Sequence, residues 1–422
     1  MSVVKSLFIG LNSGTSIVPS TTAADYIETL FTSENVAASA STTEDDTYST
    51  SRQPRGSVRT GISAQGPLEQ RFRFGASDHI FESGLHSPDW EPVSLNGTPT
   101  YSISNATLQL NSSTKVITAT LNSPFSDLAV GDWVRLEKVG YANHGLVCRI
   151  SVWTSADQIT FDSWSQTLTN DASPVTGIEV RSGERLTIST TERVHTYVKK
   201  IGQAGVELYE AIGGVRFEAV GVSLQQGQLA TVSTQVRGVK PFGEFDGNFI
   251  VDANGDIAAS GTTIDLVTYT TSPNYTAAPA TSVFSLTQST RGSVMVDGTP
   301  STQMVEFSWN LANNIRGESV LFYFGEKYVQ PGRVALSGTA NAIFDDATLY
   351  TKFVNDTSAR LASYIQDGDT NGYVFDMPNV KLGGGGTSLS GDDLVKIPFT
   401  YACEVDSVTS RAFQLIRFDS TI

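Results

Sequence analysis

The chain has 422 residues, with 28 Lys+Arg against 43 Asp+Glu and a formal net charge of -15. That acid excess argues against a grip on nucleic acid, since phosphate contacts need Lys and Arg, and favours a chain that stays soluble or repels a polyanion. An apolar share of 39% with abundant Ser, Thr, Gly and Asn is the texture of a turn-rich β protein rather than a helical one.

In chain order, MSVVKSLFIGLNSG reads as a strand, because its apolar run is too short to cross a membrane and lacks a cleavage site. Asp25 to Phe31 has the spacing of one or two helical turns. From about residue 32 to 60 the chain is a polar, Ser/Thr-rich arm or loop. With too few apolar residues to pack alone, it is either disordered or ordered only against a neighbouring molecule. Gly66 to Phe74 alternates Leu68, Gln70, Phe72 and Phe74 against charged residues and predicts a strand. Ala76 to Leu85 follows as a short helix, with Ser77 as N-cap and Ile80, Phe81 and Leu85 at helical spacing.

Between residues 91 and 182 short strands recur between turns, at Thr107–Leu110, Val116–Leu121, Trp133–Glu137, Gly145–Val152, Ile159–Phe161 and Gly177–Val180. This segment reads as an inserted small β-barrel-like domain, and residues 1–90 and 183–422 as one discontinuous β domain around it. The isolated Cys148 and Cys403 make no disulfide scaffold, which suits a reducing cytoplasm.

Val215 to Val239 reads as a hairpin turning at Gln226-Gly227, with Leu224 opposite Leu229, Gly221 opposite Val232 and Phe217 opposite Val236. That register puts Phe217, Ala219, Gly221, Val232 and Val236 on one apolar face. The other face carries Arg216, Glu218, Thr231, Ser233, Gln235 and Arg237, with Val222, Leu224 and Leu229 near the tip. A second hairpin is expected at Phe249–Asp252 and Asp256–Ala259, followed by a long excursion over Thr268–Gln288 of the kind that contacts a partner. Gln303 to Leu311 alternates Val305, Phe307, Trp309 and Leu311 inward with Glu306, Ser308 and Asn310 outward. Val334–Phe344 is a strand, and Asp345–Asn355 a short helix capped by Asp345 with Leu349 and Phe353 buried. Ala359–Gln366 and Tyr373–Leu382 form a hairpin. Leu394–Val405 turns Val395, Ile397, Phe399, Tyr401 and Cys403 inward, with Pro398 at an edge or bulge. Phe413–Phe418 closes the sheet.

Few residues point to chemistry. Asp367, Asp369, Asn371 and Gly372 match the first half of a calcium loop, but Pro378 occupies the twelfth position, where a bidentate Glu is needed. A solvent turn is the plainer reading. Asp252, Asn254 and Asp256 read as a hairpin turn. His79, Glu82 and His86 share a helix face and could be drawn as a metal trio, although surface histidines at a chain reversal are commoner. His144 and His195 suggest no site. The glycine run at 383–386 has no following lysine and reads as a loop. No nucleophile elbow, H-E-x-x-H or C-x-x-C occurs, so no enzyme, metal or cofactor is expected.

An ordered set of segments resembles the major tail protein, or tail tube protein, of phages with long, non-contractile tails. They are STSRQPRG (Ser49–Gly56), the strand and helix ending at SPDW (Leu68–Trp90), and VGDWVRL with ANHGLVCRI (Val130–Ile150). After the hairpin at 215–239 come ALSGTANAIFDDATLYTKFVNDT (Ala335–Thr357), FDMPNVKL (Phe375–Leu382) and DLVKIPFTYACEVD (Asp393–Asp406). The resemblance covers the chain after about Ala24, less closely over Gly243–Arg291. The polar arm at Ala37–Ser51 and the long excursion depart from the family pattern.

The resemblance implies a tail-tube-type β-sandwich or barrel with a flanking short helix and self-assembly into stacked, hexameric rings. It further implies a virion tail assembled in the host cytoplasm, partner tape-measure and tail-end proteins, and no membrane insertion. The lumen would be an acidic conduit through which DNA passes without specific binding. In that setting Glu218, Thr231, Ser233, Gln235, Glu306, Ser308 and Asn310 are the candidate lumen-facing residues. Val222, Leu224 and Leu229 are the candidate intersubunit contacts, and the inserted domain would project outside the tube. The alternative is a β-rich phage fibre, decoration protein or adhesin whose Asp367–Gly372 loop binds calcium.

Overall fold

The computed structural model describes residues 4–44, 56–95, 102–203, 206–242, 246–286, 292–321, 326–343, 348–367, 371–384 and 395–419. The protein is mainly β, with only short helical segments among the described residues. One layer is an antiparallel sheet whose strands run side by side as Ser57–Arg71, Thr231–Gly238, Val206–Gln225, Met304–Ala312, Ala335–Ile343 and Lys396–Cys403. Alternation splits its two faces. Leu68, Val220, Val222, Phe307, Trp309, Leu336 and Tyr401 face the core.

The second layer is built on Ala359–Gln366, Gly372–Gly383, Gln414–Phe418, Glu184–Thr187 and Gly292–Val296. It turns Leu361, Ile365, Tyr373, Phe375, Met377 and Leu415 toward the first layer. Gly372–Gly383 pairs with Lys396–Cys403 of the first layer at one end and with Gln414–Phe418 at the other, which joins the layers. Aromatic contacts bind them: the Trp309 ring centroid lies 5.5 Å from Phe375 and 5.0 Å from Phe413. The helix Asp78–Gly84 lies over strand Val206–Gln225 and adds Ile80 and Phe81 to this core. Its approach is close enough that a Cβ at Gly84 would meet Val220 Cγ2 at 2.5 Å. Ser77 holds the N-cap position, but its hydroxyl donates to Gln70 Oε1 rather than to the helix.

The strands Ser102–Asn111, Val116–Leu121, Trp133–Glu137, Leu146–Ser155, Gln158–Trp164 and Val175–Ser182 close into a separate barrel with its own apolar interior. Trp133 and Val147 on its outside pack on Met295, Ala362, Tyr364, Val374, Ile416 and Phe418, the outward face of the second layer. The order through the molecule is therefore first layer, core, second layer, barrel. A further lobe, with Phe8, Tyr26, Val198, Tyr209 and Phe242 inside, joins Val4–Leu11, Tyr26–Glu28, His195–Gln203 and Lys240–Phe242 to the first half of the long strand Val206–Gln225.

Four local expectations differ from the structure. Residues 26–31 are not helical: after a single 3-10 turn at Ala23–Asp25, Tyr26–Glu28 pairs with the first strand and buries Tyr26. Asn248–Val251 makes its full ladder with Thr262–Asp265, and the expected hairpin with Asp256–Ala259 is reduced to a bridge between Val251 and Ile257, with Asp252 N–H donating to the Asp256 carbonyl and Ala258 N–H to the Ile250 carbonyl; the tight turn at Asn254-Gly255 is present, with Asp252 accepting from the backbone of Asn254 and Asp256. Leu349 and Phe353 of the helix Thr348–Val354 are only half-buried, and its expected cap Asp345 lies outside the described residues. The polar arm forms a strand, Ala37–Glu44, paired with Ser57–Gln65 and exposed along its whole length.

Candidate assembly surface

The hairpin Val206–Gln225/Thr231–Gly238 carries a register shift between Phe217 and Ala219. Its cause is Asn313, almost fully enclosed. The Asn313 backbone N–H donates to the Glu218 carbonyl at 2.8 Å, and its side-chain amide donates to the carbonyls of Phe217 and Gly84, both at 2.9 Å. The extra residue shifts the later part of the strand by one place, and a one-place shift exchanges faces. Phe217 still lies opposite Val236, but Val222, not Gly221, lies opposite Val232.

The consequence is a correction to the expected faces. Val222 and Leu224 are 2% and 6% exposed and belong to the core, so neither is placed to touch another molecule, while Leu229 at the tip is exposed. Ala219 and Gly221 leave the core face for the polar one. Leu224 has no ladder partner in Leu229 either, because Gln226 N–H donates to the Val305 carbonyl and Leu229 bridges to Ser285.

The remaining candidates come together. Strand Met304–Ala312 pairs with Val206–Gln225, so Ser308 lies beside Ser223 and Asn310 beside Gly221, while Thr231 and Ser233 continue the same two rows on the next strand. The rows extend to residues that sequence reasoning did not single out: Ser337, Thr339 and Asn341, then Pro398, Thr400 and Ala402, and on the far side Glu69 and Arg71. One row reads Arg71, Thr231, Ser223, Ser308, Thr339, Thr400 across all six strands. Glu218 sits at the bulge, half-buried and 4.0 Å from Arg237. Gln235 is half-buried on the same side, opposite Ala219. Glu306 accepts from the amide of Asn341 at 2.6 Å, and the hydroxyls of Ser308 and Thr339 are 2.7 Å apart.

This face is rich in hydroxyls and amides rather than strongly acidic. Glu69, Glu218 and Glu306 are balanced by Arg71, Arg237 and Lys396, and Arg237 is bound by Glu326. Pro398 lies where pairing with Gly372–Gly383 has stopped at Thr400, so its missing N–H leaves no ladder bond unmade there.

The other motifs do not assemble into sites. Asp367 Oδ1 accepts from the Asn371 backbone and Oδ2 from its side chain, at 2.9 and 3.1 Å, which is the bonding of a side-chain-capped turn. Asp369 lies outside the described residues, as do Gly385 and Gly386. The strand beginning at Gly372 carries Pro378 some 20 Å away at about 3.3 Å per residue, so the second half of a calcium loop does not return to the first. His79 is 3.4 Å from Thr29 Oγ1, Glu82 pairs with Arg193 at 3.0 Å, and His195 is 2.6 Å from Ser83 Oγ. Burial pushes His79 down to about 4 and His195 to about 3, and pushes Glu82 up to about 7 despite Arg193. Among the described residues no three His, Cys, Asp or Glu side chains group to hold a metal ion.

A model of the phage tail tube protein family matches residues 10–403, almost the full length. The chain belongs to the phage tail tube protein family. No curated protein matches it. Membership makes it a structural component of a virion tail that assembles into a tube. No helix among the described residues is long and apolar enough to cross a membrane.

Proposed function

We propose that copies of this tail tube protein close into rings, six to a ring as in the family it resembles, with the six-stranded polar face lining the bore. Rings stack into a conduit for DNA in a long, non-contractile tail, alongside tape-measure and tail-end proteins, after assembly in the host cytoplasm. The protein performs no catalysis. One observation carries the reading: a continuous polar face backed by the main core, on which Ser233, Asn310, Ser337 and Thr400 are exposed and whose Arg237 end is held by Glu326.

The same layering supports treating residues 91–182 as an inserted domain on the tube exterior, since its barrel lies beyond the second layer, opposite the polar face. Repulsion from the acidic chain as a whole discourages DNA binding, and on the face itself the scarcity of unpaired cations does the same. Leu229 and the exposed arm at 37–44 and 57–60 are the contacts with neighbouring copies. Negative-stain micrographs of purified protein at rising concentration test the reading. Tubes of uniform diameter are expected, and monomers that persist even with partner tail proteins added would refute it.

A further inference from the structure

A groove at the Arg71 end of strand Ser57–Arg71 gathers three cations, Lys5, Arg71 and Arg73, with Glu28 the one carboxylate among its lining residues. Among the described residues none of the three makes an ion pair, and Arg73 donates only to the Thr281 carbonyl. Glu69 shares the Arg71 face without reaching ion-pair distance of it. Arg193, Lys199, Arg216 and Arg417, by contrast, each hold a carboxylate. Lys5 and Arg71 are exposed, so an incoming group can reach them. In a chain of net charge -15, three cations left unneutralised in one groove fit an anion from outside the fold.

The same strand supplies such an anion at its other end. There residues 57–60 pair with Ala37–Glu44 in a ribbon that is exposed on both strands, and a two-stranded ribbon without a core gains its stability by docking. At its outer end Glu44, exposed and unpaired among the described residues, opens the run Glu44-Asp45-Asp46. Arg52 and Arg55 follow only on the returning side, so three consecutive carboxylates lead. This run cannot serve the groove of its own chain. The strand between them is about 46 Å long, whereas the eleven residues 45–55, running out and back, span about 20 Å at most. A basic groove and an acidic run at opposite ends of one strand make a heterologous contact, the kind that propagates from copy to copy.

We infer that Glu44, Asp45 and Asp46 of one copy's arm bind the Lys5, Arg71 and Arg73 groove of a neighbouring copy. The inference rests on the tube reading and names what the arm meets. Carbodiimide, which condenses a touching amine and carboxylate into an amide, tests it on the wild-type protein. In assembled tubes Lys5 should couple to Glu44, Asp45 or Asp46 of another copy, read by mass spectrometry of the covalent multimers, and in dispersed protein it should not. Lys5→Glu with Arg71→Glu should leave the unfolding midpoint in place and cut tube yield about tenfold or more at low salt. Adding Glu44→Lys, Asp45→Lys and Asp46→Lys to that variant should restore tubes. Wild-type tubes in which Lys5 couples to none of the three would overturn the inference. So would normal tubes of the groove variant whose DNA ejection alone changes, an outcome that assigns the cations to phosphate. Wild-type protein that forms no tube would instead sink the tube reading, and this contact with it.

Discussion

Asp376 is fully enclosed between the second layer and the barrel. Its Oδ2 accepts from Trp133 Nε1 at 2.9 Å, Arg149 Nε at 3.1 Å and Gln414 Nε2 at 2.7 Å. Arg149 reaches on to Asp162, which also binds Arg360 of the second layer. The barrel is thus held by a dehydrated charge pair as well as by apolar contact. Removing one partner strands the other, so Asp376→Ala should cost about 3–5 kcal/mol in urea unfolding, and adding Arg149→Met should recover part of it. A loss below about 0.5 kcal/mol would mean that the barrel docks by apolar contact alone.

The buried histidines set an acid limb. His79 and His195 stay neutral when folded down to about 4 and about 3, whereas an unfolded His titrates near 6.5. As pH falls through that window the unfolded chain takes up the protons, and stability falls. Glu82 acts the other way: folded, it holds its proton up to about 7, so its contribution is lost as pH rises from the usual carboxylate range through that value. The unfolding midpoint should therefore fall between pH 6 and pH 4 by several degrees, and His79→Gln with His195→Gln should flatten that limb. Equal slopes in variant and wild type would contradict the assignment.

At the scale of elements, the exposed arm separates folding from assembly. Ser41 lies opposite Gly61 on a strand exposed along its whole length, toward the outer end of a ladder whose buried residues, Ile62 and Ala64, are on the partner strand, and a proline there breaks the outer ladder without removing a core side chain. Ser41→Pro should change unfolding free energy by less than about 0.5 kcal/mol yet abolish tubes in light scattering. Tubes of normal yield would remove the arm from the interface.

The same scale shows what was legible in the chain. Half-buried strands report their faces by strict alternation, so the inward sets Leu68 to Phe74, Phe307 to Leu311 and Ile397 to Tyr401 could be read directly, which leaves Glu306, Ser308 and Asn310 on the side away from the core. The hairpin faces could not be read past Glu218, because the bulge is made by Asn313, far away in sequence. Ser337, Thr339 and Thr400 escaped notice for a related reason. They join the face through sheet order, and sheet order is set by long-range pairing that no local pattern encodes. Tyr26 likewise takes a helical spacing into a strand because its partner strand lies elsewhere.

For the whole molecule, the layering places a low-charge polar sheet on one side and a firmly docked barrel on the other. If the sheet lines a bore, its few cations matter more than the chain's net charge. The triple variant Ser233→Lys, Ser308→Lys, Thr339→Lys adds three amines to each copy on that face. It should leave tube diameter unchanged and slow DNA ejection ~10-fold or more at low salt, with recovery as salt rises, because each phosphate contact releases counterions. Salt-independent ejection at the wild-type rate would place that face away from DNA. The most direct test is a cryo-electron microscopy reconstruction of assembled tubes. Ser223, Ser308, Thr339 and Thr400 should line the bore in every copy, with the 102–182 barrel outermost. A bore lined by the barrel, or a polar sheet buried between neighbouring copies, would contradict the account.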